Sequence, residues 1–138
     1  MADVITHDLL ILGSGLAGLR AAVEASRVSG GRVNIGLVSK VQLMRSHSVC
    51  AEGGTAAMLR PEEGDSFELH AWDTVKGSDF LGDQDVIDRF VHEMPNEIFQ
   101  LDHWGIPWTR REDGRIAQRP FGGHSFPRAV LAADKTGF

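Results

Sequence analysis

Leu9-Leu10-Ile11-Leu12-Gly13-Ser14-Gly15-Leu16-Ala17-Gly18 is the stretch that decides the fold. Its four leading apolar residues read as a short parallel strand buried on both faces. Three glycines follow in the spacing G-x-G-x-x-G. Beyond them Leu16, Leu19, Ala22 and Val23 recur at helical spacing over 16–28, and Gly30-Gly31 stops the helix. Residues 33–38 are apolar again and predict a second strand. Strand, glycine turn, helix and strand in about thirty residues make a βαβ unit. In that setting Gly13 permits the tight turn, Gly15 lets backbone approach a pyrophosphate, and Gly18 lets helix and strand pack closely. The helix start, spanning Ser14, Leu16 and Ala17, offers unpaired N–H groups and a partial positive charge to phosphates. A dinucleotide is the expected ligand, and a purely structural turn is the alternative.

Working outward, the second strand ends in Val38-Ser39-Lys40, where a carboxylate for the ribose is usual. A hydroxyl can still meet the ribose, and a lysine attracts phosphate. This departs from a standard NAD pattern and leaves FAD open. Residues 39–64 read as loop, with a short apolar stretch over 56–59. A helix is predicted over 66–75, with Phe67, Ala71 and Val75 on one face. Gly82-Asp83 opens another, striped by Val86, Ile87, Phe90, Val91 and Met94. Pro95 should break it and start a new helix that carries Ile98, Phe99 and Leu101 and ends at Gly105. Residues 108–110 and 116–119 flank Glu112-Asp113-Gly114 as a hairpin. Residues 128–133 read as the start of a further helix. The expected class is α/β: a Rossmann-like βαβ nucleotide-binding domain, N-terminal part, with following helices and a β-hairpin.

The 138 residues suggest one domain. With 14 basic against 19 acidic residues and a net charge of −5, no basic stripe invites nucleic acid. No apolar stretch approaches the roughly 20 residues that span a bilayer. The opening residues do not read as a secretory signal. Cys50 is the only cysteine, which excludes an internal disulfide and any multi-cysteine metal or iron–sulfur site. It reads as a small buried thiol. His70, His92 and His103 have no second ligand at useful spacing. Trp104 and Trp108 read as packing residues, and Arg110-Arg111 as a solvated hairpin edge.

The loop Arg45-Ser46-His47-Ser48-Val49-Cys50-Ala51-Glu52-Gly53-Gly54 gathers donors, a cation, an imidazole and two glycines after the second strand. Such a loop can cradle a diphosphate and approach a flat ring. His47 is a candidate nucleophile, proton shuttle or hydrogen-bond partner there. From Ser39-Lys40 through Arg45-Ser46-His47-Ser48 to Ala51-Glu52-Gly53-Gly54 the sequence resembles the flavoprotein subunits of succinate dehydrogenase and fumarate reductase, of the FAD-dependent oxidoreductase 2 family. The resemblance continues through Asp73-Thr74-Val75-Lys76-Gly77-Ser78-Asp79, Gly82-Asp83-Gln84-Asp85, Gln118-Arg119-Pro120-Phe121-Gly122-Gly123 and Ala133-Asp134-Lys135-Thr136-Gly137.

The resemblance implies FAD joined covalently to His47, with Ser39, Lys40, Ser46 and Ser48 contacting it. It also puts Arg45, Ala51 and Gly54 in the cofactor loop, with Glu52 and Gly53 where flavin meets substrate and Phe121 near the dicarboxylate. The reaction implied is interconversion of succinate and fumarate, with electrons passed to an iron–sulfur subunit, membrane anchor subunits and, at a distance, quinone. The implied location is peripheral, on the cytoplasmic side of the inner membrane. Glu52 resembles fumarate reductases, whereas Gln118 to Gly123 look more like a succinate dehydrogenase, so direction stays open. The resemblance covers about the first quarter of a family polypeptide. Residues 1–138 are therefore expected to be an incomplete FAD-binding domain without capping domain or proton-transfer arginine, inactive alone and, when expressed separately, marginal or insoluble. A free-FAD enzyme of the L-aspartate oxidase kind and a non-catalytic nucleotide-binding fragment remain as alternatives.

Overall fold

The computed structural model describes residues 3–138. It has two compact units: the residues up to Ala51 together with Gly137–Phe138, and Glu52–Thr136. In the first unit β1 (Leu9–Leu12), α1 (Leu16–Ser29) and β2 (Ile35–Val38) form the expected βαβ arrangement. The strands run parallel, Leu9 opposite Ile35 and Leu12 opposite Val38. Helix α1 stops where Gly30 turns left-handed at φ 63°, its N–H donating to the Arg27 carbonyl. That conformation is why a glycine stands there.

Two expectations for this unit need correction. β2 starts at Ile35 rather than Val33, because the Asn34 N–H donates to the Asp8 carboxylate instead of to a ladder carbonyl. β1 is not buried on both faces: Leu10 is 54% and Leu12 77% exposed. A parallel strand is covered only when layers pack on both sides of its sheet. One helix and one neighbouring strand leave much of it open.

The second unit contains β3 (Thr55–Ala56), α2 (Phe67–Gly77), α3 (Gln84–His103), β4 (Gln118–Arg119) and β5 (Ala129–Val130). The strands form an antiparallel sheet in the order β3–β5–β4. Both helices start where expected, and each is capped by a side chain. The Ser66 hydroxyl accepts from Leu69 N–H, and the Asp83 carboxylate accepts from Asp85 and Val86 N–H. The core is Ala57, Ile98, Trp108, Ile116, Val130 and Ala132, flanked by Leu59, Met94, Leu101 and Ile106.

Two readings fail here, at Pro95 and over residues 128–133, each because packing outweighs a local signal. Pro95 lies inside the single helix α3 and starts no new one. Losing one helix bond at Pro95 costs about 3 kcal/mol. Burial of Val91 and Ile98 on either side, about 1.5–3 kcal/mol each, offsets it. The buried stripe is Val91, Met94, Ile98 and Leu101, while Val86, Phe90 and Phe99 are exposed. Residues 128–133 form no helix. Ala129 and Val130 are the buried central strand, paired on both sides. In the first unit, Cys50 is exposed rather than buried.

The hairpin exists, with Arg110 bridged to Ile116 and Gly114 at φ 83° in its turn. Its far end, Gln118–Arg119, pairs with β5 instead. The Arg110-Arg111 edge is ion-paired: Arg110 meets Asp102, and Arg111 meets Glu63. Such exposed pairs contribute little stability. Loop 39–64 carries 3₁₀ turns at Leu43–Arg45, His47–Cys50 and Pro61–Glu63.

Arg128 has a role that no local pattern announces. It is fully buried, binding Asp65 through Nε at 2.9 Å and Asp73 through Nη1 at 2.6 Å. His70, 2% exposed, adjoins this cluster, and its Nδ1 has no partner. Burial, and next the Arg128 charge, lower the His70 pKa from 6.5 to about 4. The unfolded chain therefore takes up this proton first as pH falls. Stability should drop by about 3 kcal/mol between pH 6.5 and about 4. Urea unfolding across that range checks this, and His70→Gln should flatten the slope.

Candidate functional site: the glycine turn and the His47 loop

The turn is built as its spacing requires. Gly13 has φ 111°, a conformation open to glycine, and its N–H donates to the Val38 carbonyl at 2.8 Å. A Cβ at Gly18 would lie 2.1 Å from the Gly13 carbonyl oxygen and 3.5 Å from Ile11 Cγ2. Helix and strand can approach this closely only without that atom. Ser14 is buried, and its hydroxyl meets that of Ser39 at 2.7 Å. The tip of β2 is thus tied to the turn where the ribose carboxylate is missing.

Gly15 has a second role beyond the one read from sequence. A Cβ there would lie 3.3 Å from Ser48 Oγ, and that oxygen accepts the Leu16 N–H at 3.0 Å. The loop residue therefore occupies one donor of the helix start. Gly15, Ala17 and Gly18 keep N–H groups that have no carbonyl partner within the helix. These suit a pyrophosphate.

The same bond fixes the loop. His47 begins the 3₁₀ turn His47–Cys50, next to Ser48, and its ring is exposed. Across that turn the Gly137 N–H donates to the Ala51 carbonyl at 2.8 Å. A Cβ at Gly137 would sit 2.2 Å from the Ser48 carbonyl oxygen, so this glycine is required for the approach. Lys40 and Arg45 are exposed cations of the same unit. The first unit thus gathers Gly13, Ser14, Gly15, Leu16, Ala17, Gly18, Ser39, Ser46, His47, Ser48 and Ala51 around one helix start and the ties to it. The residues present fit a dinucleotide: a bare glycine cradle, N–H groups without a carbonyl partner in the helix, and exposed cations in the same unit.

The remaining site residues belong to the second unit. Glu52 is exposed. Gly54 has φ 93°, and a Cβ there would lie 2.3 Å from the Val130 carbonyl oxygen. Phe121 Cζ comes within 3.4 Å of a Cβ built at Gly53. Arg119, which the sequence reading passed over, donates to the Gly53 carbonyl at 3.2 Å, with its guanidinium 5.8 Å from the Phe121 centroid. Gly53, Arg119 and Phe121 therefore form one small cluster. No local sequence signal links residues so far apart.

The Gly18 contact gives a direct test. Gly18→Ala should destabilise the protein by about 1–3 kcal/mol, since backbone must move to admit the methyl group. Gly77→Ala, whose Cβ would meet nothing within 4 Å, should be neutral or slightly stabilising. Urea denaturation of the two variants compares them.

Comparison with known proteins agrees with this geometry. A family described as "FAD binding domain" matches residues 8–138. The fumarate reductase flavoprotein subunit of Escherichia coli is 53% identical over 131 residues, 95% of this chain and 21% of that one. The succinate dehydrogenase flavoprotein subunit of Coxiella burnetii is 45% identical over 138 residues, 95% of this chain and 23% of that one. A solved structure of E. coli quinol fumarate reductase superposes with a TM-score of 0.90 at 52% identity, covering 96% of this chain and 22% of that one. The chain spans about a fifth of the length of these relatives. With a βαβ glycine turn, a loop tied to its helix start and a match over residues 8–138, the chain belongs to the FAD-binding-domain family.

Proposed function

We propose that residues 1–138 are the N-terminal part of an FAD-binding domain in a flavoprotein subunit that interconverts succinate and fumarate, with FAD bonded covalently to His47. The observation carrying this is the bond from Leu16 N–H to Ser48 Oγ, which holds the residue beside His47 at the helix start. FAD, when bound, supplies two-electron redox chemistry for the dicarboxylate. The N–H groups of Gly15, Ala17 and Gly18 hold the pyrophosphate, and Gly13 shapes the turn that aims them. Ser14 and Ser39 orient each other's hydroxyls at the ribose end. Lys40 and Arg45 add attraction for phosphate. Ser46 and Ser48 set the loop, with Ala51 at its close.

His47, whose side chain is exposed, would be the residue that holds the flavin covalently. Glu52, Gly53, Gly54 and Phe121 border the region where substrate meets the ring. The electron partners are an iron–sulfur subunit and membrane anchor subunits, with quinone beyond them. The subunit sits peripherally on the cytoplasmic side of the inner membrane. Among the described residues no helix is long and apolar enough to cross a membrane.

In His47→Ala, acid-precipitated protein should be colourless while the wild type stays yellow. Colour retained by the precipitated variant would overturn the covalent assignment. A colourless wild-type precipitate from protein that is yellow in neutral buffer would favour a free-FAD enzyme.

A further inference from the structure

The second unit buries a cluster of polar groups around Arg128. Arg128 fills Asp65 and donates Nη1 to Asp73 Oδ2 at 2.6 Å. Asp73 spends its remaining capacity on one residue. The Ser125 N–H donates to Oδ2 at 2.7 Å, and the Ser125 hydroxyl donates to Oδ1. A buried carboxylate on α2 thus holds residue 125 by both backbone and side chain. Burial opposes the charge on Asp73, but the Ser125 and Arg128 bonds hold its carboxyl below the usual range.

Residue 125 directly follows the turn that begins at Phe121. The His124 N–H closes it on the Phe121 carbonyl at 3.1 Å. Between them stand Gly122 and Gly123, the latter at φ 83°, and a Cβ at either would touch nothing within 4 Å. Two unconfined glycines leave a turn mobile unless its ends are held. One end is held by β4, where Arg119 is registered opposite Ala129. The other end is held by Asp73. Phe121 lies between these anchors, its ring against Gly53 and still 52% exposed.

We infer that Asp73 and Ser125 are positioning residues that fix Phe121 against Gly53 and so set the fit of the dicarboxylate. This rests on the proposed function, which places Phe121 and Gly53 beside the substrate. Neither residue touches the reacting atoms. Their effect is on how well the ring is held, so it falls on substrate binding and not on the chemical step.

The test uses the intact protein with Ser125→Ala, which keeps the backbone bond, and Ser125→Thr, which restores the hydroxyl. Amide hydrogen exchange over residues 121–125 should speed up about tenfold in Ser125→Ala while α2 stays protected. KM for succinate and fumarate should rise about tenfold with kcat and covalent flavin content unchanged. Ser125→Thr should return both readings toward wild type. Unchanged exchange, or faster exchange with unchanged KM, would overturn the inference. If the wild type turned over neither dicarboxylate, the proposed function would fail, and exchange alone would decide whether Asp73 and Ser125 hold Phe121.

Discussion

One weak bond organises the first unit: the Leu16 N–H donated to Ser48 Oγ across 32 positions of sequence. A single bond of this kind contributes only about 1 kcal/mol. Its importance is geometric, because it ties Ser48, the residue beside His47, to the start of α1. The glycines make it possible. Gly15 leaves room for the serine, and Gly18 brings α1 down onto the Gly13 carbonyl so that the helix start is where the strand ends. Gly137 closes the same loop from its other side. Adding a methyl group at Gly18 or Gly137 moves the helix or the loop, because each would strike backbone.

The second unit solves a different problem. It builds a sheet of three very short strands, which on their own are marginal. Arg128 compensates by joining the start of β5 to Asp65 and Asp73. Removing one partner from such a pair leaves a buried charge uncompensated and costs more than the intact pair contributes. Gln118 reinforces the sheet by donating its side-chain amide to the carbonyls of Ala57 and Arg128. The polar network thus fixes register where hydrophobic area is scarce.

What could be read from sequence was local. The glycine turn, the Gly30 stop and the starts of α2 and α3 each depend on a few neighbouring residues, and all appear where expected. The readings that failed depend on distant partners. Pro95 looks like a break until Val91 and Ile98 are seen buried on both sides of it. Residues 128–133 look helical until two other strands claim Ala129 and Val130. Arg128 resembles any surface arginine, because its carboxylates lie 55 and 63 positions away. The site followed the same rule. His47 drew attention through the residues flanking it, whereas Arg119 and Ser125 acquire roles only from contacts with Gly53 and Asp73.

The most direct measurement of the central claim is tandem mass spectrometry of peptides from the native, unreduced protein. The account predicts fragment ions that place a flavin nucleotide on the imidazole of His47. A His47 peptide recovered wholly unmodified from protein that carries bound FAD would contradict it.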